Sequence, residues 1–214
     1  MKRNHPKCRG YTLAKECYFS ETEFSISLLE SQEFGQRLEI KRIFPHDMFN
    51  YDLGLNDIAL IELASPLKCS IKTYPICLAT KEEMYKDGQN LIIAGWGWNR
   101  PQGVMGPKIL REGVMKQIPS SSCVEEHSHL PEETVHQYHC AVGTNQSVCR
   151  GDSGSSTFIK FQNRFYSLGV TSHTDLKDKE KMECVPTLKS TFSKVLYFLK
   201  WIMERVKDLP VALD

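Results

Sequence analysis

Residues 149–154 place a serine between small residues, in the order Gly151-Asp152-Ser153-Gly154. A serine beside glycines suits a tight turn that exposes its hydroxyl, and the small neighbours let a substrate backbone come close. The N–H groups of Gly151 and Ser153 could then point at one spot beside that hydroxyl, the arrangement that stabilises the oxyanion of acyl transfer. The segment therefore indicates a serine nucleophile. The alternative is an Asx turn that carries a surface serine.

A carboxylate that could serve such a serine is Asp57, which directly precedes the apolar run 58–63. An aspartate at the start of an apolar strand lies at the edge of a core, where an unpaired charge is costly and needs a partner. The N–H of a histidine is the partner that serine hydrolases use. Taken alone, the segment favours the simpler interpretation of a strand preceded by an Asx cap.

The elements that must position these residues are short strands separated by turns. Period-two alternation and short apolar runs predict strands at 24–28, 37–44, 58–63, 91–94, 155–161 and 165–171. Residues 162–164 are a plausible hairpin connection between the last two. Many strands at close spacing indicate an all-β barrel or sandwich.

The C-terminal part of the sequence is the exception to this strand pattern. Apolar residues recur there at helical spacing, with charged residues between them, at Val195, Phe198, Leu199, Ile202, Val206 and Leu209. This spacing predicts an amphipathic packing helix at about 194–207. We expect the chain to divide between its strand-rich first part and the remainder at about 81–90.

Composition excludes two classes of partner. The 214 residues carry 27 basic and 26 acidic side chains, for a formal net charge of +1, and contain no dense basic block. We therefore expect no nucleic-acid surface. No run of 18 apolar residues occurs, so we expect no membrane span. Four histidines raise the question of zinc, but they follow no recognised ligand spacing and we expect no metal and no cofactor: His127, His129, His136 and His139.

Cysteine content points to an oxidising compartment. Eight cysteines in a chain of this size are typical of a disulfide-containing extracellular protein. Residues 1–6 are polar and lead into no apolar segment, so the sequence contains no recognisable secretory signal. We expect a secreted protein, and a missing N-terminal segment would explain the absence of the signal.

Several ordered motifs together resemble the trypsin/chymotrypsin-like serine peptidases. That family's catalytic order is His, Asp, Ser, and Asp57 in Asn-Asp-Ile-Ala-Leu and Ser153 in Gly-Asp-Ser-Gly follow it. Further matches, within about residues 24–205, are Pro75-Ile76-Cys77-Leu78, Gly95-Trp96-Gly97, Gly169-Val170-Thr171-Ser172 and Tyr197-Phe198-Leu199-Lys200-Trp201-Ile202. The resemblance implies an all-β fold, a double β-barrel with a C-terminal α-helix. Residues 1–214 would form one peptidase domain, with a partial first barrel at about 1–85 and a second barrel at about 86–214.

The resemblance also implies the roles of individual residues. Ser153 would be the nucleophile, Asp57 the orienting carboxylate, and the N–H groups of Gly151 and Ser153 the oxyanion-hole donors. Substrate would contact Ser147 at the pocket floor and, around it, Ser172, His173, Thr174 and Ser190. Serine at the floor and hydroxyls at the walls imply a narrow pocket for small or medium uncharged side chains. Two disulfides are implied, Cys123–Cys140 and Cys149–Cys184.

The sequence departs from the family at the histidine. The family's histidine immediately precedes a cysteine, whereas Lys7 precedes Cys8 here and His5 is two positions away. Lys7 is disfavoured as a replacement base, because a nearby Asp57 would raise its pKa. If the other four cysteines, Cys8, Cys17, Cys69 and Cys77, pair with one another, three connectivities are possible. The resemblance implies instead that Cys8 pairs with a cysteine of a missing upstream segment, and that Cys77 joins an upstream chain, as it often does in the family. Without a matching new N-terminus, Asp152 would stay unpaired or turn elsewhere.

Two hypotheses for function follow. The first is a serine endopeptidase that acts on protein or peptide substrates through an acyl-enzyme, inactive as written because it lacks the histidine. The alternative is a non-catalytic relative that binds a partner protein through the former substrate face. Asn145-Gln146-Ser147 is also an N-glycosylation sequon, although its place at the implied pocket floor argues against its use.

Overall fold

The computed structural model describes residues 8, 15–30, 33–98, 109–124, 132–178 and 183–207. The chain divides into two compact units, Met1–Pro75 and Ile76–Asp214. The boundary therefore falls after Pro75, somewhat before the division that the sequence suggests at 81–90.

The first unit contains two separate antiparallel strand pairs. Strand β1 (Ile26–Glu30) pairs with β2 (Glu33–Leu38), and β3 (Ile40–Pro45) pairs with β4 (Ala59–Leu63). The predicted strand 37–44 is thus divided between β2 and β3, which belong to different sheets. Short 3₁₀ turns at Lys15–Cys17 and Glu21–Glu23 precede β1.

The second unit is a closed β-barrel followed by a helix. Its elements are β5 (Cys77–Leu78), β6 (Asn90–Gly95), β7 (Arg111–Ile118), β8 (Tyr138–Gly143), β9 (Ser156–Phe161), β10 (Arg164–Thr174), β11 (Leu176–Asp178), β12 (Glu183–Cys184), β13 (Ser190–Lys194) and α1 (Val195–Arg205). The hydrogen-bonded order is β13-β8-β7-β6-β9-β10, and pairing of β10 with β13 closes the ring. Strand β5 adds to β10 in parallel, while β11 and β12 form a separate pair.

The core of this barrel is built from the inward positions of its strands. On β7, Gly113, Met115 and Gln117 are buried while their neighbours are exposed, which is the period of two expected of a half-buried strand. The apolar core comprises Ala79, Met84, Leu91, Ile93, Met115, Ala141, Val148, Ile159, Tyr166, Leu168 and Phe192.

A buried histidine also lies in this core. His139 stacks on Phe192 with 5.0 Å between ring centroids, and its Nε2 lies 3.1 Å from the hydroxyl of Thr157. The Nδ1 atom has no hydrogen-bond partner among the described residues. Gly169 makes room for the ring, because a Cβ there would collide with it. Burial, and to a lesser extent the charge of Lys194, lower the pKa of His139 to about 3.

Helix α1 matches the predicted amphipathic segment and is anchored at its first turn. Val195, Phe198 and Ile202 are buried, on one face. The Nζ of Lys194 lies 2.7 Å from the carboxylate of Glu82 and 4.5 Å from the ring centre of Tyr85. The hydroxyl of Tyr85 donates to the carbonyl of Leu168 at 2.8 Å and accepts the N–H of Leu196 at 3.2 Å. Within the described ranges, no helix is long and apolar enough to cross a membrane.

The structure joins cysteines in three described pairs. Two of them, Cys123–Cys140 and Cys149–Cys184, are the pairs that the family resemblance implies. The third, Cys8–Cys17, corrects the expectation that Cys8 pairs outside this chain: the two residues are separated by only 9 positions, and their Cα atoms lie 5.3 Å apart. That spacing is within the ordinary range for a disulfide. Cys69 and Cys77 are free thiols in the part of the chain that the structure describes.

Candidate active site

Ser153 lies exposed on a tight turn between the Cys149–Cys184 disulfide and strand β9. Its neighbours Gly151 and Gly154 have φ angles of +100° and +87°, a region that side-chain-bearing residues rarely adopt. The turn is tied to the barrel because the N–H of Gly154 donates to the carbonyl of Thr171 at 2.9 Å. The glycines of the motif are therefore required by the backbone path around the serine.

Two backbone donors of this turn remain available. No described residue accepts the N–H of Gly151 or that of Ser153. The carbonyl of Arg150, just before them, accepts the N–H of Trp98 at 2.8 Å, which ties the turn to the Gly-Trp-Gly segment. Free N–H groups beside an exposed hydroxyl can stabilise negative charge on a substrate oxygen.

The carboxylate of Asp152 is held beneath the turn by backbone donors. One oxygen accepts the N–H of Gly97 at 2.7 Å and the other accepts the N–H of Cys149 at 2.9 Å. Of the two expectations for Asp152, the second is the one observed: the carboxylate turns to these donors, which replace the hydrogen bonds that burial removes. A Cβ on either Gly95 or Gly97 would collide with this carboxylate, which explains the two glycines of the Gly-Trp-Gly segment.

A cavity of about 400 Å³ adjoins Asp152. Its walls come from the Gly-Trp-Gly segment, the start of β7, the loop 145–149, Cys184 and Pro186. The loop is attached to β7 because the N–H of Val114 donates to the side-chain oxygen of Gln146 at 2.9 Å. Ser147 is half-buried and lines this cavity. Sequence reasoning missed Gln146 as the residue that holds this loop, since its partner is distant in sequence.

The other predicted substrate contacts lie on β10 and β13. Thr174 and Ser190 are directly paired across these strands, and their hydroxyls lie 2.9 Å apart. Ser190 is completely buried. Ser172 is half-buried and its neighbour His173 is exposed. Thr174 and Ser190 are not among the walls of the 400 Å³ cavity, so the structure does not bring all the predicted pocket residues together around it.

Asp57 belongs to the first unit, where the preceding loop positions it. It is half-buried and stands two positions before the first residue of β4. Asn56 adopts a positive φ of 53° and donates from its side chain to the carbonyl of Met48 at 2.9 Å. The residue type at position 56 is consistent with this positive φ, because asparagine tolerates the left-handed region better than most residues. Ser153 belongs to the second unit.

Several residues considered as bases or ligands lie outside the described residues: His5, Lys7, His127 and His129. His139 is described, and it is buried in the barrel core of the second unit, where a substrate does not reach it. In the described ranges, no group of three or more histidine, cysteine, aspartate or glutamate side chains is arranged to hold a metal ion.

Comparison with known proteins identifies the family. The family model for trypsin matches residues 14–202, which include both Asp57 and Ser153. The chain belongs to the trypsin family, a family of serine proteases. The all-β architecture with its C-terminal helix is accordingly the trypsin-like double-barrel fold. Lys7 and Cys8 lie before the matched segment.

Similar proteins share rather more than a quarter of their aligned residues with this chain. Vitamin K-dependent protein C of Mus musculus is 28% identical over 186 residues, which cover 82% of this chain and 38% of the relative. Transmembrane protease serine 9 of Rattus norvegicus is 28% identical over 195 residues, which cover 88% of this chain and 17% of the relative. The chain thus spans well under half the length of these two relatives.

Proposed function

We propose that this chain is a serine-type endopeptidase domain in which Ser153 is the nucleophile. The observation that carries the proposal is the exposed Ser153 beside two unengaged N–H groups, those of Gly151 and of Ser153 itself. A carbonyl carbon attacked by Ser153 would place its oxygen near these donors. The hydrogen bonds to Asp152 support this role, because they hold the turn before any substrate arrives.

The reaction would follow the acyl-enzyme course of serine hydrolases. The Oγ atom of Ser153 forms a bond to the scissile carbonyl carbon, and its proton passes to a base. The C–N bond then breaks, the amine leaves with that proton, and water hydrolyses the ester. Asp57 would orient a histidine base, in the catalytic order that the family uses.

The general base is the member of the triad that the resemblance assigns to no residue of this sequence. Lys7 stands before Cys8, where the resemblance expects a histidine, and His139, one of the described histidines, is buried in the barrel. We therefore propose that the chain alone is inactive as a peptidase. Lys7 also supports the alternative, a non-catalytic module that binds a partner protein, although an intact nucleophile turn is not needed for binding alone.

Substrate choice can be proposed from the hydroxyl-bearing residues. Ser147 carries no charge, so nothing at that position would select lysine or arginine. The resemblance assigns Thr174 and Ser190 to positions where wider pockets of the family have glycines, and their hydroxyls lie 2.9 Å apart. Small or medium uncharged side chains would fit such a slot. The three disulfides support a secreted protein, and the free thiol of Cys77 could join it to an upstream chain.

Turnover of an activated ester, with and without imidazole as an external base, tests the proposal. Without imidazole we expect wild type to match Ser153→Ala, because a triad serine without its base loses several orders of magnitude in rate. With imidazole we expect an acyl group on Ser153, located by peptide mass spectrometry, together with ester turnover above that of Ser153→Ala.

Ser155→Ala is the matched control, since it removes a neighbouring hydroxyl that lies 3.0 Å from the hydroxyl of Thr171. It should retain the imidazole-dependent acylation. Base-free turnover that disappears in Ser153→Ala would contradict the proposed inactivity. Absence of acylation at every imidazole concentration, in protein that is folded by circular dichroism, would contradict the nucleophile and favour the binding module.

A further inference from the structure

The sequence contains a single N-glycosylation sequon, Asn145-Gln146-Ser147, with no proline in its middle position. Its place at the implied pocket floor argues against its use, because a glycan cannot be attached to a side chain that must be buried. The structure removes that objection. Asn145 is exposed, on a bend that follows strand β8.

The neighbours of Asn145, and not Asn145 itself, attach this loop to the barrel. Gln146 accepts the N–H of Val114 at 2.9 Å, and Val148 is buried in the core. Before the bend, the N–H of Gly143 donates to the carbonyl of Pro186 at 2.7 Å. Asn145 also belongs to the wall of the 400 Å³ cavity, so an exposed side chain there lies at the cavity mouth.

The cysteines supply the second, independent requirement, which is the compartment. Three disulfides in the described residues are typical of a protein that folds in an oxidising lumen. Transfer of N-linked glycans takes place in that same environment in eukaryotic cells. A chain that forms its disulfides in that compartment would present an accessible sequon to the transfer enzyme.

We propose that Asn145 is an N-glycosylation site whose glycan projects from the mouth of the cavity beside Asp152. The donor would be a lipid-pyrophosphate-linked oligosaccharide. The Nδ2 atom of Asn145 forms a bond to the anomeric carbon of the first sugar and loses one proton. The bond between that carbon and the pyrophosphate oxygen breaks, and the lipid pyrophosphate leaves. No oxidation or reduction occurs.

Expression of the full chain behind a secretion signal in mammalian cells tests this site. We expect most molecules to carry a glycan that peptide N-glycosidase F removes without denaturant, leaving aspartate at position 145. Asn145→Gln and Ser147→Ala should abolish the glycan, whereas Ser147→Thr should retain it, because threonine also completes the sequon. Asn90→Gln, an exposed asparagine outside any sequon, is the matched control and should keep the glycan.

Both the secreted and the cell-retained pools are analysed, so that a variant that folds poorly still reports whether its sequon was used. Absence of a glycan on wild type and on Ser147→Thr in both pools would overturn the proposal. A glycan that persists in Asn145→Gln would do the same. Release only after denaturation, with no glycan on Asn145→Gln, would still support the site, because the glycosidase must reach the first sugar and not only Asn145.

Discussion

The two units of this chain use similar strands but pair them differently. In the described residues of the first unit, four strands form two separate pairs, whereas six strands of the second unit close into a ring. Closure gives each barrel strand two neighbours and places its inward face against the others. A paired hairpin alone has no such opposite face and is marginal in water.

Equivalent side chains show the consequence of this difference. Phe34 on β2 is 66% exposed, while Phe192 on β13 is 0% exposed. Ile61 on β4 is 46% exposed, while Ile159 on β9 is 8% exposed. Residue type is the same within each pair, so the burial, and with it the hydrophobic stabilisation, comes from how the strands are assembled.

The ion pairs of the two units also differ in their burial. On β3 and β4, Lys41 and Arg42 pair with Glu62 at the surface, where ion pairs contribute little. In the second unit, Lys194 is buried and meets both Glu82 and the ring of Tyr85. The second unit therefore contains the interactions that resist opening, and the first unit is expected to be the weaker part of the fold.

The largest expected difference between the two units is in their rates of amide hydrogen exchange. Amides of β10 around Val170 should exchange roughly 10³-fold or more slowly than those of β3 around Ile40, because β3 can open locally while β10 needs the barrel to unfold. Exchange followed by mass spectrometry on the intact soluble chain measures this ratio. Equal protection would contradict the expectation that the first unit is the weaker part of the fold.

Truncation of a matched pair of phenylalanines should give the next largest effect. Phe192→Ala removes a fully buried ring from the barrel core and should cost about 3–5 kcal/mol of unfolding free energy. Phe34→Ala removes a largely exposed ring and should change it by no more than about 0.5 kcal/mol. Urea unfolding of both variants tests the comparison, and similar costs would contradict the assignment of the core to the second unit.

Acid should reduce the difference in stability between the two units, because it destabilises the second unit. Because the pKa of His139 is lowered to about 3 in the folded chain from 6.5, the stability contributed by its neutral form is complete above pH 6.5 and is lost as pH falls towards 3. Below pH 6.5 the unfolding free energy should decline by about 1.4 kcal/mol per pH unit from this residue. Urea unfolding between pH 7 and 5 measures the slope.

The variant His139→Gln serves as the control for that slope, because glutamine does not titrate and can still bond Thr157. Its unfolding free energy should be lower at pH 7 but nearly independent of pH in this window. A slope unchanged from wild type would assign the acid sensitivity to other groups. In wild type, the protection of β10 amides should fall towards that of β3 as the pH is lowered.

Local sequence patterns were sufficient where the inward side chains are apolar or the turn residues are distinctive. The predicted strands at 91–94, 155–161 and 165–171 correspond to β6, β9 and β10. The hairpin between the last two turns at Gln162 and Asn163, both with positive φ. The helix and the serine turn were also predictable, since apolar spacing and glycine spacing are properties of consecutive residues.

The hydrophobic pattern of the sequence did not predict three barrel strands, β7, β8 and β13, because their buried positions include polar residues. Gln117 on β7 accepts a hydrogen bond from Gln89 at 3.0 Å, His139 on β8 meets Thr157, and Ser190 on β13 meets Thr174. Partners from other segments make these buried polar side chains acceptable in the core, although the Nδ1 of His139 has no partner among the described residues. No pattern along one strand reveals such a partner.

In the candidate site, too, some features follow from the local sequence and others from the tertiary structure. The amino-acid sequence by itself indicated the family, the turn at Ser153 and the glycines around it, because these depend on residue types at short spacing. Only the tertiary structure decided that Asp152 is held by the N–H groups of Gly97 and Cys149, that Cys8 pairs with Cys17, and that Asn145 is exposed. Those outcomes depend on which distant segments the closed barrel and the loops bring within hydrogen-bonding or covalent reach, and a linear sequence does not contain those distances.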